Sequence, residues 1–152
     1  MEPYKSVPEG YTRIASSIYY DDPIGAIDWL CAAFGFETRL KYLSPEGKLQ
    51  HSELIYGEDF IMVGDAGNDD AQKSPNSIGK CVTQAVHIYV DDINAHCERA
   101  RQAGAIILKE PDDRQYGNRV YMAEDCEGHR WWFAEAQVKS FDEGVENYKS
   151  RG

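Results

Sequence analysis

The sequence predicts an α+β fold built from two copies of one unit, strand–helix–three strands. Two observations carry this. Short motifs recur 70 positions apart: Tyr19-Tyr20-Asp21-Asp22 returns as Tyr89-Val90-Asp91-Asp92, and Phe60-Ile-Met-Val-Gly-Asp65 as Arg130-Trp-Trp-Phe-Ala-Glu135. Between the repeats, helical spacing and strand alternation follow in the same order in both halves, with Gly35 and Gly104 closing the two helical runs at an offset of 69, one residue of slippage.

In the first half, residues 14–20 carry the β-branched and aromatic content of a strand. Asp22 and Pro23 then start a helix, Asp as N-cap and Pro at the first helical position. Ala26, Ile27, Leu30 and Phe34 form its apolar stripe, and Gly35 is its stop. Residues 36–42 and 49–56 read as strands around a Ser44-Pro-Glu-Gly47 turn, and 60–64 as the fourth strand. In the second half, 84–90 is a strand, Asp92 caps a helix reaching about Ala103, and 105–108, 118–124 and 129–136 are strands, with a polar loop at 110–117. The two pseudo-repeats, about 12–65 and 83–136, are expected to form one domain over 1–152. A polar linker at 66–82 joins them, and a tail, 137–152, has the makings of a short helix at 140–148.

Composition narrows the partners. Sixteen basic against 26 acidic residues give a net charge of −10, and no basic stripe exists to neutralise phosphates, so nucleic acid is excluded as a partner. A cationic or neutral ligand is accommodated more readily. No run of about 18 apolar residues is present, so no membrane span is expected. The N-terminal ten residues lack the apolar core of a signal peptide. Cys31, Cys81, Cys97 and Cys126 form no CxxC pair and no zinc spacing, which suggests reduced thiols and a cytoplasmic location.

Side chains alternate faces along a strand. Val86, Ile88 and Val90 are expected under the helices, leaving Ala85, His87 and Tyr89 on the other face; Ala15, Ser17 and Tyr19 are their counterparts. His51, Glu53 and Ile55 share a face, as do Arg119, Tyr121 and Ala123, and as do Arg130, Trp132 and Ala134. Faces mixing aromatic, small and ionisable residues suit a ligand groove, although a single wet face of an antiparallel sheet is the plain alternative for each residue alone.

The paired modules resemble the vicinal oxygen chelate superfamily of glyoxalases, bleomycin-resistance proteins and dioxygenases. The resembling stretches are residues 20–36, His51-Ser-Glu-Leu54, Phe60-Ile-Met-Val63, Val86-His-Ile-Tyr-Val-Asp-Asp92, Arg101-Gln-Ala-Gly-Ala105, Tyr116-Gly-Asn-Arg119 and residues 124–133. The resemblance implies a partly open, eight-stranded mixed β-barrel and a homodimer. Metal-dependent relatives place His, Glu or Gln mid-way along the first and fourth strands of each module. The aligned positions are Ala15, Met62, Ala85 and Trp132, none of them a ligand for a hard metal. A shift of two residues brings in His87 but no full set. No metal and no cofactor are therefore expected, and glyoxalase-type or dioxygenase-type metal catalysis is disfavoured. Bleomycin-resistance relatives also lack the metal set and hold a cationic, planar drug in a groove.

Several residues admit two readings. His51 and Glu53 are an acid–base pair or a hydrogen-bonded pair. His87 is a base, a ligand donor or a stray metal ligand. Arg119 clamps a ligand anion or pairs with Asp112-Asp113. Trp132 is a stacking platform or a plug. His129 satisfies a turn, His96 is expected at the solvent edge of its helix, Cys97 joins the helical core stripe, and Cys126 sits in a turn with no evident base. No GxGxxG, P-loop or GxSxG motif is present. The expected function is binding of a small aromatic molecule, a cationic one included, in a metal-free cavity lined by Tyr19, Glu53, His87, Tyr89, Arg119, Tyr121 and Trp132, as in drug or toxin sequestration. The alternative is a lyase or isomerase using His51, Glu53 or His87 on a small oxygenated substrate. A scaffold whose pocket is closed by aromatic packing is the third.

Overall fold

The structure, a computed structural model, describes residues 3–151. Met1 and Glu2, part of the segment read as lacking a leader, and Gly152 at the end of the tail lie outside the described residues. The chain forms two compact units, Met1–Ser74 and Pro75–Gly152. No helix among the described residues is long and apolar enough to cross a membrane.

In the first unit, β1 (Ser17–Tyr20) leads into α1 (Pro23–Phe34), followed by β2 (Glu37–Leu43), β3 (Leu49–Tyr56) and β4 (Asp59–Asp65). The sheet order is β1-β4-β3-β2, with β1 parallel to β4 and the other pairs antiparallel. The second unit repeats the pattern with β5 (Ala85–Tyr89), α2 (Ile93–Gln102), β6 (Ile106–Arg114), β7 (Asn118–Glu124) and β8 (Arg130–Ala136), in the order β5-β8-β7-β6. A last helix, α3 (Phe141–Arg151), follows. The two open, four-stranded mixed sheets, each backed by a helix, are the α+β pattern the repeat predicts.

The helix boundaries follow from their caps. The Asp22 side chain accepts the Gly25 N–H at 3.1 Å, Pro23 opens α1, and Gly35 ends it in the left-handed conformation at φ 84°. The Asp92 side chain accepts the Ala95 N–H at 3.1 Å at the start of α2. Ala26, Ile27, Leu30 and Phe34 are all buried against sheet one, and Ile93, Cys97 and Ala100 against sheet two.

Three expectations are corrected. The first strand starts at Ser17, and Ile14 stands outside it, 87% exposed. The polar stretch 110–117 is not all loop: β6 continues to Arg114, through Pro111, with register shifts between Ile107 and Asp112. An edge strand can hold a proline because its missing N–H costs no ladder bond there. His96 does not face solvent. It is 9% exposed, and its Nδ1 lies 2.6 Å from the Tyr121 hydroxyl, with the Phe133 ring 4.4 Å away. The stretch 66–82 carries two short 3-10 turns, Ala66–Asn68 and Pro75–Ile78.

Candidate functional site

Each sheet turns one face to its helix and leaves the other as a groove. In the second unit, register decides which is which. His87 pairs with Trp132, and Trp132 with Met122, so these side chains share the groove face. Ile88, Phe133 and Tyr121 form the next row, on the helix side. Phe133 and Tyr121 are fully buried there, their rings stacked at 5.0 Å.

The groove holds a cavity of about 750 Å³, lined by His87, Tyr89, Trp132, Val120, Asn118 and the β6–β7 turn, with Tyr116 and Tyr148. Trp132 is half-buried and walls this space rather than plugging it. The Lys109 ammonium lies 5.1 Å from the Trp132 ring centroid. His87 and Tyr89, two apart on β5, meet edge to face at 5.2 Å. Although His87 is exposed, partial desolvation lowers its pKa below the ordinary value, which favours the neutral imidazole.

The C-terminal helix completes the wall. Tyr148 of α3 touches Tyr116 at 5.5 Å, and the Asn147 amide donates to the Tyr116 carbonyl at 3.3 Å. Gly144 is required for this docking, since a Cβ there would lie 2.4 Å from the Tyr116 ring.

In the first unit, Ser17 pairs with Met62 and Tyr19 with Gly64, placing Tyr19 on the groove face. A Cβ on Gly64 would come within 3.0 Å of the Tyr19 ring, so the bare glycine lets the ring lie flat on β4. A smaller cavity of about 250 Å³ is lined by Tyr19, His51, Met62, Asp65, Asn68 and Gln72 among others. Beside it, Glu53 is held from two sides. Arg39 donates to one carboxylate oxygen through Nε at 3.0 Å and Nη2 at 2.7 Å, and the His51 Nε2 lies 3.1 Å from the other. The His51 hydrogen bond, and then Arg39, hold the Glu53 carboxyl below its ordinary pKa despite its burial. Arg39 also stacks over Phe60 at 4.6 Å and Tyr11 at 5.2 Å, and donates to the Gly10 carbonyl.

Of the seven residues expected to line a cavity, the structure therefore places Tyr19, Glu53, His87, Tyr89 and Trp132 on groove faces. Arg119 and Tyr121 lie on the opposite side. Arg119 donates to Asn94 of α2 at 3.2 Å and pairs with Asp113 at 3.2 Å, which is the ion-pair reading of that residue. Tyr121 faces His96 in the core. A strand's parity says which residues share a face, not which face it is, and β7 takes its face from β8. At the turn before β8 the backbone N–H of His129 donates to the Asp125 side chain at 3.0 Å, where the Trp131 indole N–H also donates at 2.9 Å.

Sequence reading missed Arg39, Arg114, Tyr116, Asn118 and Tyr148. One signal was available: Arg39 and Lys109 stand 70 positions apart, the repeat offset, and each lies over a groove aromatic. Among the described residues, no group of three or more His, Cys, Asp or Glu is arranged to hold a metal.

These features match known proteins along most of the chain. An uncharacterized protein, Rv0887c, of Mycobacterium tuberculosis is 29% identical over 125 residues, covering 78% of this chain and 71% of that one. The crystal structure of TioX from Micromonospora sp. ML1 superposes with a TM-score of 0.64 at 30% identity, covering 80% of this chain and 97% of that one. TnmS3 from Streptomyces sp. CB03234, described as an antibiotic binding protein, shares the fold at a TM-score of 0.63 and 15% identity, over 82% of this chain and 96% of that one. The model of the glyoxalase/bleomycin resistance protein/dioxygenase superfamily matches residues 11–133, and with two βαβββ units and 30% identity to a solved relative, the chain belongs to that superfamily.

Proposed function

We propose that the second unit binds a small planar aromatic molecule in a metal-free groove and sequesters it. The observation that carries this is the cavity of about 750 Å³ walled by Tyr89, Tyr116, Trp132 and Tyr148 with a His87 held toward its neutral form. Rings fixed on strands lose little freedom when a flat ligand stacks on them, so burial is converted into affinity. TnmS3, a fold relative, is described as binding an antibiotic. For metal chemistry, the groove residues in the register rows of β4 and β8 are Ser17 with Met62 and His87 with Trp132, which supply one imidazole and no carboxylate. For a lyase or isomerase, Glu53 is a poor base, because its carboxylate is engaged by Arg39 and His51.

A cytoplasmic homodimer is part of the same proposal. Every residue of the edge strand β2 is exposed in the single chain, including Leu40, Tyr42 and Leu43, a surface suited to a second copy. Sedimentation analysis measures this directly.

The test of binding is titration of intrinsic Trp fluorescence with a panel of planar aromatic drugs, in wild type and Trp132→Phe. Saturable quenching in wild type, weakened in the variant, supports the reading. No quenching across the panel overturns it. Elemental analysis with metal add-back tests the metal-free claim; stoichiometric retained nickel, zinc or iron would contradict it.

A further inference from the structure

Resting on that reading, we infer that the ligand of the second-unit groove is a planar aromatic carboxylate, its anion held by Arg114 and Asn118 while its rings stack beside Trp132. Arg114 and Asn118 are cross-strand partners at the ends of β6 and β7, so their side chains leave the sheet on the same side. Both line the cavity. Among the described residues neither the Asn118 amide nor the exposed Arg114 guanidinium has a protein partner, and since no buried side-chain N or O atom is left unpaired, the Asn118 amide opens to the cavity although the residue is only 8% exposed. A guanidinium and an amide side by side, donors unfilled, are the pair that receives a carboxylate with charge-assisted hydrogen bonds.

The remaining charges agree. Asp113 is the one acidic residue of the lining, and it is already engaged, accepting from Arg119 at 3.2 Å and from the Gln137 amide at 3.0 Å. Lys109 lies over the Trp132 ring, so a second cation brought to that indole meets a like charge. His87 is held toward neutrality. Arg114 and Asp113 cancel within the lining, and Lys109 over Trp132 tips the local balance to positive in a chain of net charge −10. Because salt screens exposed charges beyond about 8 Å at physiological ionic strength, the charges in and beside the groove weigh more on the ligand than the net charge of the chain. The net charge favours a cationic ligand; the groove's own residues favour an anionic one.

The experiment compares three isosteric probes, 9-anthracenecarboxylate, 9-anthracenemethanol and 9-(aminomethyl)anthracene, by quenching of Trp emission with the full chain. The expected result is that the carboxylate binds about tenfold or more tighter than the alcohol, with the ammonium weakest. Arg114→Gln is expected to bring carboxylate and alcohol to parity, and Arg114→Glu to reverse the order. Arg114 is exposed and outside the core, so both variants should fold. Equal binding of the three probes, tighter binding of the ammonium, or a carboxylate preference that survives Arg114→Gln overturns this inference and leaves the aromatic groove standing. Binding of none of the three overturns both.

Discussion

Arg39 places two donors on a single oxygen of Glu53, at 3.0 and 2.7 Å, and the other oxygen lies against His51 at 3.1 Å. Glu53 is 7% exposed, so much of the solvation of its carboxylate comes from these neighbours. Arg39→Ala should cost about 1–3 kcal/mol at neutral pH by leaving a buried charge half-satisfied. Its pH dependence has a definite sign. The folded-state pKa of Glu53 lies below its unfolded value, so the pair's contribution is present above the unfolded pKa and is lost as pH falls through the folded one. Urea unfolding at several pH values should show the gap between wild type and Arg39→Ala widest near neutrality and closing in acid; a gap constant with pH would contradict this account.

Gly144 sits where α3 meets Tyr116. In an ordinary helix interior Gly→Ala stabilises by about 1 kcal/mol. Here the added Cβ would lie 2.4 Å from the Tyr116 ring, so Gly144→Ala should destabilise or unseat α3, with affinity for planar aromatics falling. Thermal melts and ligand titration check both effects, and a stabilised variant with intact binding would show that α3 is no part of the wall.

His87 should titrate below its ordinary value of 6.5 because burial disfavours the imidazolium. The folded state then binds fewer protons than the unfolded one just below that pH, so this residue withdraws stability as pH falls through the unfolded pKa toward the folded one. NMR titration of the imidazole signals, assigned with His87→Gln, measures the pKa directly.

Cys97 is buried in the α2 stripe, and burial pushes its thiol up to about 11. Cys81 and Cys126 are exposed. A disulfide thiol reagent at pH 8 should label Cys81 and Cys126 in the native protein and reach Cys97 only on unfolding, since the thiolate is the reactive form. Mass spectrometry of labelled peptides gives the answer site by site.

Much of the fold is local and therefore legible in the chain. Asp22 and Asp92 cap their helices, Gly35 closes α1, and β3 and β7 occupy the boundaries that alternation predicts. The groove face of β5 was legible as well, because its helix-side residues Val86, Ile88 and Val90 are uniformly apolar. β7 was not. All its residues but Arg119 are buried, so hydrophobicity does not separate its faces.

By itself the sequence determined the two βαβββ units, their caps, and which residues share a strand face, Tyr89 with His87 and Tyr19 with Ser17, since these follow from local periodicity and a repeat of 70 residues; the place of Trp132 came from the family resemblance. Tertiary structure decided the rest. The pairing of Met122 with Trp132 turns Arg119 and Tyr121 to the helix side, a matter of register between strands rather than of either strand alone. The docking of α3 on Tyr116 brings Tyr148 into the wall from 32 positions away, and the partnering of Arg114 with Asn118 across a turn sets a cation beside an amide. Contacts of that kind depend on packing between elements, which no single element's pattern encodes.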